Sequence, residues 1–167
     1  MKKIILSILM FIPLGIIAQE TKIAVIDKQT VLLAMPEMST YESGMAKVQT
    51  EYQTVFKELQ DDYNRKYADL VNQGDSLSDN IKMLRMQEIQ DLKTRMDNYY
   101  TTAQEGIQKE QQKLIAPILE KLDKAIKDVG AENGYIYILN DNPEIVLFKG
   151  KGAIDITDKV KAKLGIK

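Results

Sequence analysis

Two long amphipathic segments, joined by a short turn, dominate the hydrophobic pattern of the chain. In the first segment, apolar residues recur at alternating steps of four and three, the heptad spacing of a helix that packs along one seam. The seam positions are Tyr41, Met45, Val48, Tyr52, Val55 and Leu59, with Phe56 beside them. The next apolar positions are Tyr63, Tyr67 and Leu70, so one step of three is missing and the supercoil is expected to relax there.

The segments meet at residues 72–76, where Gly74 predicts a helix stop. Ser39, followed three residues later by Glu42, predicts the start of the first helix. The return segment keeps near-helical spacing through Leu77, Ile81, Leu84, Ile89, Leu92, Met96, Tyr99, Ala103 and Ile107. The pattern therefore predicts an antiparallel helical hairpin. Its first helix would be roughly 50 Å long, so we expect it to project from a small body as an arm.

Shorter elements flank the hairpin. The apolar run 22–27 predicts a strand covered on both faces. Residues 135–139 and 145–148, separated by turn residues, predict a β-hairpin, and residues 158–164 a last helix. Pro117 predicts a kink or restart of the return helix where the arm enters the body, or alternatively the ordinary first position of a new helix.

The part of the chain outside residues 39–129 is too small to bury a robust core alone. Its strands are nevertheless apolar on both faces, and another copy of the same chain is the simplest cover for the second face. We therefore predict an obligate oligomer formed through the strands. The predicted interface residues are Ile23, Val25, Tyr135, Tyr137 and Leu139.

Residues 1–18 are typical of a cleaved secretory signal peptide. Lys2 and Lys3 precede an apolar run, and Ala18 suits the cleavage position. The run is short and is followed by Pro13, which argues against a transmembrane anchor. The absence of cysteine excludes a lipoprotein anchor. We expect an exported protein.

The net charge of the chain bears on which classes of partner it can bind. The whole chain has 23 basic and 24 acidic side chains. Cleavage after Ala18 would remove two lysines and no acid, which leaves a net charge of about −3. Phosphates require a basic face, so this balance argues against nucleic acid and weighs against membrane-surface contact.

The chain contains neither cysteine nor histidine. Few routes to nucleophilic or metal chemistry remain. The doublet Asp61-Asp62 lacks a spaced set of further oxygen ligands, so a solvated helix face is favoured over a calcium site. We predict no enzyme activity, no catalytic residues, no metal and no cofactor.

Several short segments, in order along nearly the whole mature chain, resemble the Skp/OmpH family of periplasmic chaperones. They are 22–27, 36–37, 88–92, 114–118, 121–126, 132–135 and 155–158. The resemblance implies an α+β fold that trimerises through its strands, with body 19–38 and 117–167 and arm 39–116. It also implies an ATP-independent holdase that binds unfolded outer-membrane proteins in a cavity between the arms. The best-known members of the family are basic, whereas this chain is acidic. We therefore do not extend to this chain the family's electrostatic attraction of clients or its binding of lipid.

A holdase needs adaptable apolar contacts, for which methionine and aromatic side chains are suited. The candidate client-binding residues are Met83, Met86, Tyr100, Tyr63 and Tyr67. Packing between the two arm helices is the alternative role for each of them. The alternative function is an exported coiled-coil scaffold that bridges folded envelope proteins.

Overall fold

A computed structural model describes residues 22–166, so the predicted signal peptide lies outside the described residues. The elements, in chain order, are β1 (Ile23–Ile26), α1 (Lys28–Ala34), α2 (Glu37–Gln73), a 3₁₀ turn (Gly74–Ser76), α3 (Asp79–Asn133), β2 (Tyr137–Asn140), β3 (Ile154–Asp155) and α4 (Thr157–Lys163). The predicted α+β fold is confirmed. Between residues 22 and 166, no helix is long and apolar enough to cross a membrane.

The predicted helical hairpin is confirmed, and its helices are longer than expected. α2 has 37 residues and α3 has 55, which correspond to lengths of about 55 Å and 80 Å. α2 begins at Glu37 instead of the predicted Ser39, and Lys121 of α3 forms an ion pair with Glu37 at this end of the helix. Because the C-terminal third of α3 belongs to the body, one continuous helix connects the arm to the sheet.

The seam between α2 and α3 differs from the predicted heptad. Val55 is exposed, and Phe56 packs in its place against Tyr100, with ring centroids 6.5 Å apart. Tyr67 is also exposed, while Lys66 is half-buried and pairs with Glu88. A second step of four, from Tyr52 to Phe56, replaces the expected step of three. The spacing between half-buried positions of α2 therefore averages about 3.6 residues per turn, which is the period of a straight helix.

The predicted restart at Pro117 is wrong. α3 runs without interruption from Asp79 to Asn133, with Pro117 inside it. On the C-terminal side of the proline, Ile118 and Leu122 are buried in the body core. This packing stabilises the helical conformation on both sides of a residue that removes one backbone hydrogen bond.

The helix ends follow the sequence closely. Asp27 caps α1 by accepting a hydrogen bond from the backbone N–H of Thr30. Gly134 ends α3 in the left-handed conformation with φ = 67°, which glycine adopts without steric cost.

The sheet is three-stranded and parallel, in the order β2-β1-β3. Ile23 and Val25 of β1 lie opposite Tyr137 and Leu139 of β2. The predicted β-hairpin between 135–139 and 145–148 is therefore wrong. β2 pairs with β1 in parallel, and residues 145–148 belong to no strand among the described residues.

The reason lies in the turn after β2. The side chain of Asn142 accepts a hydrogen bond from the backbone of Glu144, and its carbonyl accepts bonds from Ile145 and Val146. These contacts turn the chain away from an antiparallel return. The connection 141–153 instead crosses β1 to reach β3, which is the length of crossover that parallel pairing requires.

The core lies on one face of the sheet. Ala24 and Ile26 of β1 point to this face and pack against α1, α4 and the end of α3. Its fully buried large side chains are Val31, Leu122, Ile156 and Val160. Because strand side chains alternate between faces, Ile23 and Val25 of β1 point away from this core, and so do Tyr137 and Leu139, which lie opposite them in β2.

Candidate functional site

The second face of the sheet is apolar and only partly covered. We call it the free face, formed by Ile23, Val25, Tyr137 and Leu139. Val25 is 5% exposed, but Tyr137 is 63% exposed, and Ile23 and Leu139 are also exposed. An apolar sheet face in water is costly because apolar burial stabilises by about 25 cal/mol per Å². Four of the five predicted interface residues are thus brought together on one surface.

Tyr135, the fifth predicted interface residue, lies elsewhere. It packs against the core side of the body, where the ammonium of Lys159 donates to its hydroxyl at 3.0 Å. The same ammonium lies 5.5 Å from the centre of the Tyr135 ring. This residue is therefore separated from the free face by the sheet itself.

The connection 141–153 adds an apolar segment that the sequence analysis placed in a strand. Ile145, Leu147 and Phe148 are all exposed. Val146 and Phe148 line an open cavity of about 500 Å³ together with Ile23, Val25 and Leu139. The free face and this segment thus form one continuous apolar surface. In the sequence, the only sign of the exposed segment was its run of β-branched and aromatic residues.

A second apolar surface lies near the end of the arm. Met83 and Met86 are 65% and 57% exposed, which supports their placement outside the helix–helix seam. Tyr67, on α2, is also exposed. Its ring stacks on that of the half-buried Tyr63, with ring centroids 6.2 Å apart. We call the exposed apolar residues of this region the tip surface: Tyr67, Val71, Ile81, Met83, Leu84 and Met86.

Sequence reasoning missed half of the tip surface. Ile81 and Leu84 fit the helical spacing of a buried stripe, yet both are exposed. At this end of the hairpin the helices are held by polar contacts: Lys66 pairs with Glu88, and Arg85 donates to Gln73 at 3.2 Å. The first buried positions of α3 are Ile89 and Leu92. Apolar burial in the arm therefore starts about three turns from the start of α3.

Tyr100, the remaining candidate, lies midway along the arm. It is exposed and contacts Phe56 edge-on. Next to it, Tyr99 donates to the backbone carbonyl of Tyr52 at 3.4 Å. Burial raises the pKa of Tyr99 above its ordinary value.

The structure brings together no reactive constellation within residues 22–166. Among these residues there is no group of three or more acidic side chains placed to hold a metal ion. The carboxyl groups whose pKa values are lowered form structural contacts instead. A hydrogen bond from Lys121 lowers the pKa of Glu37, and hydrogen bonds from Thr157 lower the pKa of Asp155.

Comparisons with known proteins agree with this architecture. The family described as outer membrane protein (OmpH-like) matches residues 22–164. A crystal structure of a candidate outer membrane chaperone (OmpH-like) from Caulobacter crescentus CB15 is similar in fold, with a TM-score of 0.73 and 13% sequence identity. The alignment covers 85% of this chain and 82% of that one. The comparison with curated proteins finds no match.

The family match extends from the first residue of the described structure to the end of the last helix, and so includes the sheet, the arm and the core that joins them. Such membership supports a chaperone role. The chain belongs to the OmpH-like family.

Proposed function

We propose that this protein is an ATP-independent holdase of the periplasm that binds unfolded outer-membrane proteins and prevents their aggregation. The observation that carries the proposal is the pair of uncovered apolar surfaces, one at the sheet and one at the arm tip. Exposed apolar patches of this kind mark interaction sites in soluble proteins. The two surfaces have different chemistry, which suits two different roles.

The free face has the properties of an assembly interface. It is a flat sheet surface of β-branched and aromatic residues, continuous with the exposed segment Ile145–Phe148. Self-association through this face would remove its apolar area from water. In our proposal three copies join their sheets in this way, and the three arms extend from the common body around a cavity.

The tip surface has the properties of a client-binding surface. Methionine side chains are unbranched and polarizable, so they adapt to many partners. Since Met83 and Met86 lie near the end of an arm, they can contact a large unfolded chain without requiring a shaped pocket. Binding through many weak apolar contacts needs no nucleotide or cofactor.

Native mass spectrometry of residues 19–167 tests the proposal. The protein is measured alone and after a urea-unfolded outer-membrane β-barrel has been diluted into it. We expect an assembly of three chains that gains one client chain. Three chains without client uptake would contradict the holdase and favour a scaffold between folded envelope proteins. A stable monomer would contradict the assembly through the free face.

A further inference from the structure

A cleft opens on one side of the arm, midway between the body and the tip. It lies between α2 and α3, with a volume of about 460 Å³, and is open to solvent. Its apolar walls come from Tyr52, Phe56, Tyr99 and Ile107. This position is distinct from both the tip surface and the free face.

Aromatic rings from both helices form the walls of the cleft. Tyr52 and Tyr99 meet across the seam with centroids 6.2 Å apart and ring planes inclined by 51°. Gly106 makes room for this pair, since a Cβ atom at that position would collide with the hydroxyl of Tyr52. The extra step of four at Tyr52–Phe56 coincides with the cleft.

The polar side chains at the rim of the cleft indicate which kind of ligand it would bind. Three amide side chains, Gln49, Gln53 and Gln104, line the cleft, and none of the described lining residues is charged. An amide offers a donor and an acceptor together, which matches the backbone of an extended polypeptide. By contrast, a second arm cavity of about 370 Å³, nearer the tip, is lined by Lys66, Asp69, Arg85 and Glu88.

We propose that this mid-arm cleft is a subsite for an apolar or aromatic side chain of an unfolded, extended polypeptide, with the rim glutamines pairing to the neighbouring peptide groups. The inference rests on the proposed holdase function and specifies which side chains of a client bind the arm, and where. The neutral rim discriminates against anionic lipid headgroups, which require cations. Aromatic walls favour an aromatic side chain through edge-to-face contact.

Fluorescence anisotropy of a labelled 12-residue peptide tests the subsite with residues 19–167. The peptide alternates phenylalanine with polar residues, and a second peptide carries serine at each phenylalanine position. Tyr100 also lines the cleft, so Tyr100→Ala removes one of its aromatic side chains, and we expect this variant to bind the phenylalanine peptide roughly tenfold more weakly. Leu33→Ala is the control, because Leu33 is 61% exposed and Tyr100 57%, and Leu33 lies on α1, outside both the cleft and the tip surface.

A second pair of variants tests the neutral rim. Gln104→Lys puts a charge at the cleft and is expected to weaken binding of the phenylalanine peptide, whereas Gln60→Lys, on an exposed part of α2 outside the cleft, is expected to leave it unchanged. Circular dichroism verifies that all four variants keep their helicity. Equal effects of the cleft and control variants, or equal affinity for the serine peptide, would overturn the subsite.

A photoreactive side chain identifies the occupant. Tyr100→p-benzoylphenylalanine is irradiated with and without the phenylalanine peptide and analysed by mass spectrometry. An adduct of peptide mass is expected only when the peptide is present. An adduct between two copies, or with a copurified lipid, would assign the cleft to that occupant and overturn the inference.

The two proposals fail in different ways. If wild-type protein suppresses client aggregation but Tyr100→Ala and Leu33→Ala behave alike, the cleft assignment is wrong and the holdase remains. If the phenylalanine peptide binds the cleft but no client aggregation is suppressed, the holdase is wrong and the peptide subsite remains.

Discussion

At the scale of single residues, Asp27 connects three elements of the body. Its carboxylate accepts hydrogen bonds from the backbone and hydroxyl of Thr30, at 2.8 and 2.6 Å, and so caps α1. Its own backbone N–H donates to the hydroxyl of Thr157 at 3.0 Å, which joins β1 to α4. The bonds from Thr30 stabilise the carboxylate and hold the pKa of Asp27 below its usual value of 3.8.

The lowered pKa predicts a pH effect. A carboxyl group whose pKa is lower in the folded state stabilises the fold above its unfolded pKa, and this stabilisation is lost as the pH falls through the folded pKa. Asp27→Asn keeps the capping oxygen but cannot titrate. We expect nearly unchanged stability at pH 7 and a smaller loss on acidification from about pH 5 to pH 2, measured by urea unfolding followed by circular dichroism.

Asp69→Asn is the control for Asp27→Asn, since Asp69 is an exposed aspartate about one turn before the end of α2. It should keep the acid sensitivity of the wild type. An Asp27→Asn variant that lost stability in acid as steeply as the wild type would show that Thr30 does not protect this carboxylate.

At the scale of elements, the continuity of α3 is the feature that makes the arm and the body one structure. Pro117 lies within this helix, where its ring crowds the carbonyl of Lys113 and removes one hydrogen bond. The helix tolerates it because the residues that follow are anchored in the core. The sequence correctly marked Pro117 as the place where arm and body meet, but not that the helix would pass through it.

Pro117→Ala should stabilise the protein. Proline inside a helix costs up to about 3 kcal/mol relative to alanine, so we expect the free energy of unfolding to rise by about 1–3 kcal/mol. Chemical denaturation measures the change. Gln112→Ala, an exposed site one turn earlier, should stay within about 0.5 kcal/mol of wild type. A loss of stability in Pro117→Ala would mean that the core packing of Ile118 needs the geometry that proline imposes.

The arm tip predicts a separate functional effect. Replacing Met83 and Met86 together by serine removes adaptable apolar surface without removing buried contacts. We expect weaker suppression of client aggregation, measured by light scattering, with unchanged helicity and assembly. Gln90→Ser with Lys93→Ser, two exposed polar positions on the same helix, is the matched control. Full activity of the methionine variant would remove these positions from the client surface.

At the scale of the whole molecule, the sheet is covered on one face by helices and only partly on the other by residues 141–153. This asymmetry follows from the parallel order β2-β1-β3, which forces the connection to cross β1. The connection buries Val25 but leaves Tyr137 and Leu139 exposed. The arm, by contrast, uses its apolar residues mainly to join its own two helices.

Tyr137→Asp tests the role of the free face. A charge in a buried interface is strongly unfavourable, so we expect the assembly to dissociate to single chains in sedimentation velocity. Leu33→Asp, at a comparably exposed site on α1, is the control and should leave the assembly intact. An unchanged sedimentation coefficient for Tyr137→Asp would remove this residue from the interface.

Local patterns determined most of the elements. Helical spacing, the capping Asp27 and the left-handed Gly134 specify where helices begin and end, because these signals act through contacts within a few residues. The candidate residues Met83, Met86 and Tyr100 were placed off the seam by the same spacing, and their exposure agrees. This part of the site was predictable because exposure on a helix depends on angular position around its axis.

Only the tertiary structure decided how those elements meet. Periodicity favoured Val55 for the seam, but Phe56 contacts Tyr100 instead, and both of these rings line the mid-arm cleft. Residues 145–148 have the composition of a strand, yet the chain turns at Asn142 and crosses β1 to reach β3 instead of pairing with β2. Composition specifies that a segment favours extended backbone, whereas its pairing depends on which neighbours the rest of the chain brings within hydrogen-bonding distance.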